Sequence, residues 1–419
     1  MYDYSKCLQR DILCIDLKSF FASVSCILHR LNPETTKLAV VADTKSKGAV
    51  VLAATPPLKK LGITTGSRKF DIPHRPDIYI TNPKMRTYVD YSTYISEIAL
   101  QYVAPEDFHQ YSIDEFFMDI TDSYRLFAPS AEDFARQLQS EIYKKTHIMS
   151  TIGVGPNLLL SKIAMDNEAK KNQHGIAEWR YADVPDKLWS LQHLTDMWGI
   201  NKRTADKLHK RGIHSIKALA HYPHHYLKRD LGIIGVDLHL HANGIDESLI
   251  RHPHTPKQHT LNKSQILTRD YTLTELKTVL IEHVEALYYR AQIENHTPKT
   301  ITVSLNYTDA SALKKQFTHR DGYLSSNQII QQFWSYIVQT VEHDRTFRTL
   351  SISFTNFKSS NVEQLSFFTP KIEYQARAID HALVPLKRKY GHEIVTRASS
   401  LKPSSTLNDR KGLIAGHKA

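Results

Sequence analysis

Apolar residues recur along this chain in two rhythms, one of period two or continuous, the other close to 3.6. Residues 10–16 carry the run Ile12-Leu13-Cys14-Ile15 closed by Asp16, and residues 19–30 go on with Phe20-Phe21-Ala22. That pairing predicts a buried strand and then a helix, with Ser19 placed to cap it. Residues 38–42 and 49–54 are two further strand-like runs, parted by a polar turn from Asp43 to Gly48. Over 87–103, Tyr88, Tyr91, Ile95, Ile98 and Tyr102 fall at helical spacing, as core aromatics do. Residues 108–113 and 116–120 read as paired strands. Residues 131–145 read as an amphipathic helix with Phe134, Leu138 and Ile142 on one face. A strand over 150–154 and a helix over 157–171, capped by Asn157, complete the order βα, ββ, αβ.

The second half has its own pattern. Residues 188–246 are helical, and residues 251–258, with two prolines and two histidines, read as a linker. Leu273, Leu276, Leu280, Val284, Leu287 and Ala291 then form one helical stripe, and Ile330, Phe333, Trp334, Ile337 and Val341 a second. Ile301, Val303, Leu305 and Tyr307 alternate with polar residues, as do Leu350, Ile352 and Phe354, which marks strands buried on one face. With strands near 264–269 and 314–320 the order is βαββαβ. The tail after Ser399 is polar and is expected to be disordered. The fold class is therefore α+β, in several domains.

Composition narrows the partners. A chain of 419 residues suits two to four domains. Its net charge of +11 is spread along the chain and suits a polyanion, nucleic acid being the usual one. Cys7, Cys14 and Cys26 have no metal-binding or disulfide spacing, which suits a reducing cytosol. No apolar run approaches the ~20 residues of a membrane span, and no signal peptide stands out, so the expected location is cytoplasmic.

The chemistry centres on Tyr111-Ser112-Ile113-Asp114-Glu115-Phe116-Phe117-Met118. Adjacent carboxylates inside an apolar, aromatic run repel each other and are costly to desolvate. A divalent cation with oxygen ligands removes both costs; an exposed hairpin turn is the plainer reading. Asp16, 98 residues upstream of Asp114, closes the first strand and makes a third acid that only folding could bring to the pair.

Asp16-Leu17 with Phe20-Phe21-Ala22, together with Ser112-Ile113-Asp114-Glu115, resembles the two signature motifs of Y-family translesion DNA polymerases, in their bacterial UmuC/ImpB/UvrX-like branch. The resemblance runs from about residue 11 to about residue 400. It implies a right-hand polymerase: a ferredoxin-like palm (1–30 and 87–180), small fingers (31–86), a helical thumb (181–250), a linker (251–260), a little finger (261–398) and a tail (399–419). It further implies two Mg²⁺ ions, with Mn²⁺ able to substitute, held by Asp16, Asp114, Glu115 and the Leu17 carbonyl, and a monomer acting on primer–template DNA and dNTPs. Phe21 stands at the steric-gate position, with Phe20 as its core neighbour. Lys59 and Lys170, or Lys171 in its place, would face the triphosphate. Pro56 and Ser25 depart from the family, which has Tyr and Glu at those positions in many members. Trp198 to Leu208 resembles a helix-hairpin-helix, with Gly199, Lys202 and Arg203 on DNA phosphates. A weaker second hairpin spans 231–235. Gln364-Leu365-Ser366-Phe367-Phe368 resembles the peptide with which bacterial polymerases bind the sliding clamp, with Gln364, Leu365, Phe367 and Phe368 as its contacts.

Two alternatives differ in class. A degenerate polymerase would bind DNA and the clamp without catalysis, as Pro56 and Ser25 suggest. A nucleotide cyclase could share a palm-like fold, but would need neither the hairpin nor the clamp-like peptide.

Overall fold

The computed structural model describes residues 2–252, 259–342, 344–360, 371–414 and 416–418. It divides into two compact units, Met1–Pro253 with Gly412–Ala419, and His254–Lys411. Most of the expected linker, residues 253–258, and the clamp-like peptide 364–368 lie outside the described residues.

In the first unit, β1 (Ile12–Leu17) leads into α1 (Phe20–Leu28). The fingers segment holds β2 (Lys37–Val41), β3 (Val51–Ala54), α2 (Pro56–Lys59) and β4 (Ile78–Thr81). Its sheet runs β3-β2-β4 over a small core of Ala39, Val41, Val51, Leu58 and Ile72. Then follow α3 (Met85–Ala99), the hairpin β5 (Phe108–Gln110) and β6 (Glu115–Asp119), α4 (Ala131–Thr146), β7 (Ser150–Gly155), α5 (Leu158–Ala164) and β8 (Ile176–Glu178). The palm sheet runs β5-β6-β1-β7-β8, with β1 antiparallel to both neighbours. Its first four strands are the ferredoxin-like arrangement that the βα, ββ, αβ order implies. Ile12 to Ile15 are fully buried because α5 covers one face of β1 and α1, α3 and α4 pack on the other. Gly153 makes the approach of α5 possible: a Cβ there would lie 1.9 Å from the Ser161 carbonyl oxygen.

Two local expectations need correction. Ser19 does not cap α1; it sits in the left-handed region at φ +51°, and its hydroxyl accepts from Lys59 Nζ at 2.9 Å. The helix expected over 157–171 is α-helical only as far as Ala164, then widens into a π turn over Met165–Ala169. Asn157 does cap it, accepting from the Leu160 amide at 2.8 Å.

The thumb holds α6 (Lys202–His209), α7 (Ile216–His221), α8 (His224–Leu231) and α9 (Ile233–Ala242) around a core that includes Leu208, Ile216, Leu227 and Leu238. Gly199 has φ +90°, which a side chain would resist, and Asn201 caps α6 by accepting from the Thr204 amide.

The second unit holds β9 (Thr260–Tyr271), α10 (Leu273–Ile293), β10 (His296–Tyr307), β11 (Ala312–Thr318), α11 (Ser326–Thr340), β12 (Phe347–Ser359) and α12 (Lys371–Tyr390). The βαββαβ order is as expected, and the sheet runs β11-β10-β12-β9. The tail is not disordered. Residues Ala398–Leu401 form a 3₁₀ turn and Leu407–Arg410 a helical turn, and Ser400, Ser404 and Thr406 are buried. The cause lies in β9: the register pairs Lys263 with Ile352 and Gln265 with Leu350, which turns two polar side chains toward the core. Thr406 donates to Gln265 at 3.0 Å, and Arg410 pairs with buried Glu282 of α10 at 2.8 Å. Polar groups so placed need partners, and the tail supplies them.

Candidate active site

Three strands and a helix bring the site together. Asp16, near the end of β1, stands opposite Glu115 of β6 and Thr151 of β7. The amide of Leu17 donates to the Asp114 carbonyl at 2.9 Å, fixing the β5–β6 turn against β1. Ser112 donates to the Asp114 carboxylate at 2.6 Å, so that side chain is held too.

Asp16, Leu17, Phe21, Lys59, Asp114, Thr151 and Lys170 line one cleft of about 440 Å³, whose other wall is the fingers segment with Ala53, Pro56 and Thr65. Pro56 opens α2, and from its last turn Lys59 reaches across to Ser19. Phe21 stacks on Tyr88, centroids 4.4 Å apart and planes 12° from parallel, while Phe20 is buried in the palm core. Ser25 is buried, and its hydroxyl meets the Tyr88 hydroxyl at 2.8 Å.

Glu115 shares a sheet face with Asp16 but does not line the cleft. It is buried, 2.8 Å from Lys162 Nζ of α5 and 3.5 Å from the Cys14 thiol. Lys162 also meets Asp166 at 3.1 Å, Asp166 meets Lys170 at 2.8 Å, and Lys170 meets Asp16 at 3.1 Å. Charges of alternating sign thus run from Glu115 to Asp16, and the π turn lies on their path. Lys170, and not its neighbour Lys171, is the lysine that stands 3.1 Å from Asp16. Sequence reading passed over Lys162 and Asp166. The signal was there: Lys162, Asp166 and Lys170 recur every fourth residue on one helix face.

These charges shape the local acidity. Burial pushes the Asp16 carboxyl up to about 6; Lys170 opposes that, while Asp114 and Glu115 add to it. Burial also works against the charge of Lys170, but Asp16 and Asp166 outweigh it and hold the ammonium above its ordinary value. Lys59 is pulled down, first by burial, then by Lys170 and Lys18 against the attraction of Asp16. Burial alone pushes the Cys14 thiol far up, and Glu115 adds to it, so Cys14 is an inert neutral neighbour.

The thumb residues lie elsewhere in the same unit. Gly199, Lys202 and Arg203 mark the start of α6, both cations exposed and without an ion pair among the described residues. Trp198 next to them packs edge-on against Tyr111 of the β5–β6 turn, with centroids 5.9 Å apart. In the proposed second hairpin, Gly232 at φ +67° does join α8 to α9.

Comparison with known proteins fits this arrangement. The impB/mucB/samB family matches residues 15–166, the helix-hairpin-helix motif of the same family residues 181–213, and its C-terminal domain residues 259–367. The putative UV-damage repair protein UvrX of Bacillus subtilis is 40% identical over the full length of both chains. This chain belongs to the impB/mucB/samB family. It is a Y-family polymerase of the UmuC/ImpB/UvrX-like branch. A protein named DNA polymerase IV 2, also from Bacillus subtilis, is 30% identical over 98% of this chain and 99% of its own. Among solved structures, a Y-family polymerase chimera of Dbh and Dpo4 superposes with a TM-score of 0.66 at 22% identity, covering 83% of this chain and 98% of that one. A structure titled as an insertion ternary complex of Dbh DNA polymerase matches over the same shares, with a TM-score of 0.53. At such identities these structures speak for the fold. No helix among the described residues is long and apolar enough to cross a membrane.

Proposed function

We propose that this Y-family polymerase extends a primer 3′ end by nucleotidyl transfer from a dNTP on damaged templates, with Asp16, Asp114 and Glu115 as its metal-binding acids. The observation that carries this reading is the convergence of Asp16 and Asp114 with Lys59 and Lys170 on one cleft, while Glu115 lies beside them in the sheet. The donor set is oxygen only, as Mg²⁺ requires, and burial that raises Asp16 is a cost that bound cations would remove. Two Mg²⁺ ions held by the three carboxylates and the Leu17 carbonyl would activate the primer hydroxyl and offset the triphosphate charge.

The chain's own groups do the rest. Lys59 and Lys170 supply positive charge to the triphosphate from opposite walls, Lys59 as a point charge without the fork of an arginine. Phe21 closes the sugar end of the cleft against a 2′-hydroxyl. Lys202 and Arg203, with the amides at the start of α6, bind template phosphates without reading sequence. The peptide 364–368 tethers the enzyme to the sliding clamp.

Primer extension with dNTPs and Mg²⁺ tests the proposal. Asp114→Asn and Glu115→Gln should each lose extension by orders of magnitude while DNA binding survives. Near-normal extension by both variants would remove the metal-site assignment. A parent protein that binds DNA and never extends it would make the chain a DNA- and clamp-binding accessory.

A further inference from the structure

At one corner of the second unit, three chain segments bring His259, Glu294 and His296 together. His259 immediately precedes β9, Glu294 ends α10, and His296 opens β10. The turn between the last two is fixed: Asn295 sits at φ +54°, its amide donates to the Gln292 carbonyl at 3.1 Å, and its carbonyl accepts from the Ser360 amide at 2.9 Å. Asn295 is a residue that tolerates this backbone, which points Glu294 and His296 to the same side.

The geometry around the carboxylate is specific. His259 Nδ1 lies 3.6 Å and His296 Nδ1 3.5 Å from one and the same oxygen, Glu294 Oε2. Neither distance is that of an N–H···O hydrogen bond. The other oxygen, Oε1, is held by Arg290 at 3.2 Å, which leaves Oε2 free to the two rings. His296 Nδ1 is shielded from solvent and has no hydrogen-bond partner among the described residues. Phe357 packs against both imidazoles, with ring centroids 5.5 and 5.2 Å away, and so fixes the rings from the far side. All three residues line a cleft of about 440 Å³ with Asn356, Lys358 and Ser359.

We propose that His259, Glu294 and His296 form a binding site for a divalent transition-metal ion, Zn²⁺ above all. Zinc holds nitrogen and oxygen ligands at about 2.0–2.2 Å in a tetrahedron, which sets its ligands roughly 3.3–3.5 Å from one another. The two N···O separations already stand near that spacing, and the donor atoms of all three residues lie within 4.8 Å of one another. Two imidazoles and one carboxylate select zinc and its transition-metal neighbours over Mg²⁺, which prefers oxygen. Water from the cleft fills the fourth position, and Arg290 serves as the outer partner that orients the carboxylate. Such an ion would tie the entry to β9 to the corner of α10 and β10. It is separate in chemistry and position in the chain from the carboxylate cleft of the first unit.

The test uses the full chain in millimolar Mg²⁺, which occupies oxygen-ligand sites. Zn²⁺ is titrated against a chromophoric chelator, and Co²⁺ is followed by its visible absorption. The expected result is one equivalent of Zn²⁺ per chain, with a Co²⁺ spectrum of low coordination number. His259→Gln, at an exposed position that cannot unfold the domain, and His296→Ala should each weaken binding by about 100-fold or more, since even outer-shell changes cost 10–100-fold. Asp114→Asn should leave binding unchanged. No stoichiometric Zn²⁺ below about 10 µM, an affinity in both histidine variants equal to that of the parent, or loss of binding in Asp114→Asn would each overturn the site. In the first two cases the cluster is a plain imidazole–carboxylate pairing.

Discussion

The ring of Phe21 lies flat on that of Tyr88, 4.4 Å away, and the Tyr88 hydroxyl is anchored 2.8 Å from Ser25 Oγ. Ser25, one of the two departures from the family, therefore has a part of its own: it fixes the ring on which the proposed sugar gate rests.

Phe21→Ala should raise ribonucleotide incorporation at least about tenfold, roughly 1.4 kcal/mol of lost discrimination, with dNTP extension kept. Single-nucleotide kinetics with paired dNTP and rNTP measure it. Ser25→Ala leaves the buried Tyr88 hydroxyl without its partner and should cost about 1–3 kcal/mol in urea unfolding. Unchanged sugar selectivity in Phe21→Ala would move the gate to another residue.

Lys162→Met strands Glu115, which is buried beside the Cys14 thiol. Removing one partner of such a pair costs about 3–5 kcal/mol. The loss should be largest in metal-free buffer, and Mg²⁺ should restore part of it, because a cation at the acids takes over the role of the ammonium. Equal Mg²⁺ effects on the unfolding of parent and variant would show that Glu115 takes no share in metal binding.

The tail makes a third case. Glu282→Gln leaves Arg410 largely buried without its counter-charge and should destabilise the second unit by about 3–5 kcal/mol. Limited proteolysis should then cut after Lys402 at a rate the parent never shows.

Lys263, under the same tail, predicts a pH dependence. Burial pulls it down to about 8 from 10.5, Arg410 adds to that, and Glu282 opposes. The folded state thus binds fewer protons than the unfolded one between those values, so stability rises with pH across that window. Below about 8 the charge is a standing cost of about 3 kcal/mol. Lys263→Met should therefore gain most at pH 7 and little at pH 10, read from urea midpoints of variant against parent. A gain independent of pH would make the effect one of packing alone.

The proposed clamp recruitment rests on residues 364–368. Phosphate contacts weaken steeply with salt, so a tether that raises local concentration matters more than its small area. Leu365→Ala with Phe368→Ala should leave single-nucleotide insertion unchanged and abolish clamp stimulation on long templates. Fluorescence anisotropy of a labelled peptide 361–370 with the clamp checks this directly, and absence of binding at tens of micromolar would reject it.

The strands, helices and acids that stand at the ends of apolar runs were legible because period and punctuation are local properties. Asp16 and Asp114 could be read that way, although their convergence needed the sheet. Lys162 shows in the sequence only as one of three charges at every fourth position of a helix face; its burial against Glu115 was not legible, because packing alone brings the Tyr111 ring over it. The ordered tail was hidden for the same reason. Lys263 and Gln265 look like an exposed edge until the register turns them inward. Glu115 facing Lys162, and the π turn that carries Lys170 to Asp16, are likewise results of packing that spacing alone does not reveal.

The place of β1 at the centre of the palm sheet has a consequence for synthesis on the ribosome. This strand leaves the exit tunnel long before its two neighbours, β6 and β7, which begin at Glu115 and Ser150. For more than a hundred residues of translation, Ile12-Leu13-Cys14-Ile15 has no hydrogen-bonding partner in the sheet. Distant pairing of this kind is slow and leaves apolar edges open to other chains. A nascent chain stalled before Ser150 should therefore engage chaperones through the segment of β1, and let go of them once β7 has emerged.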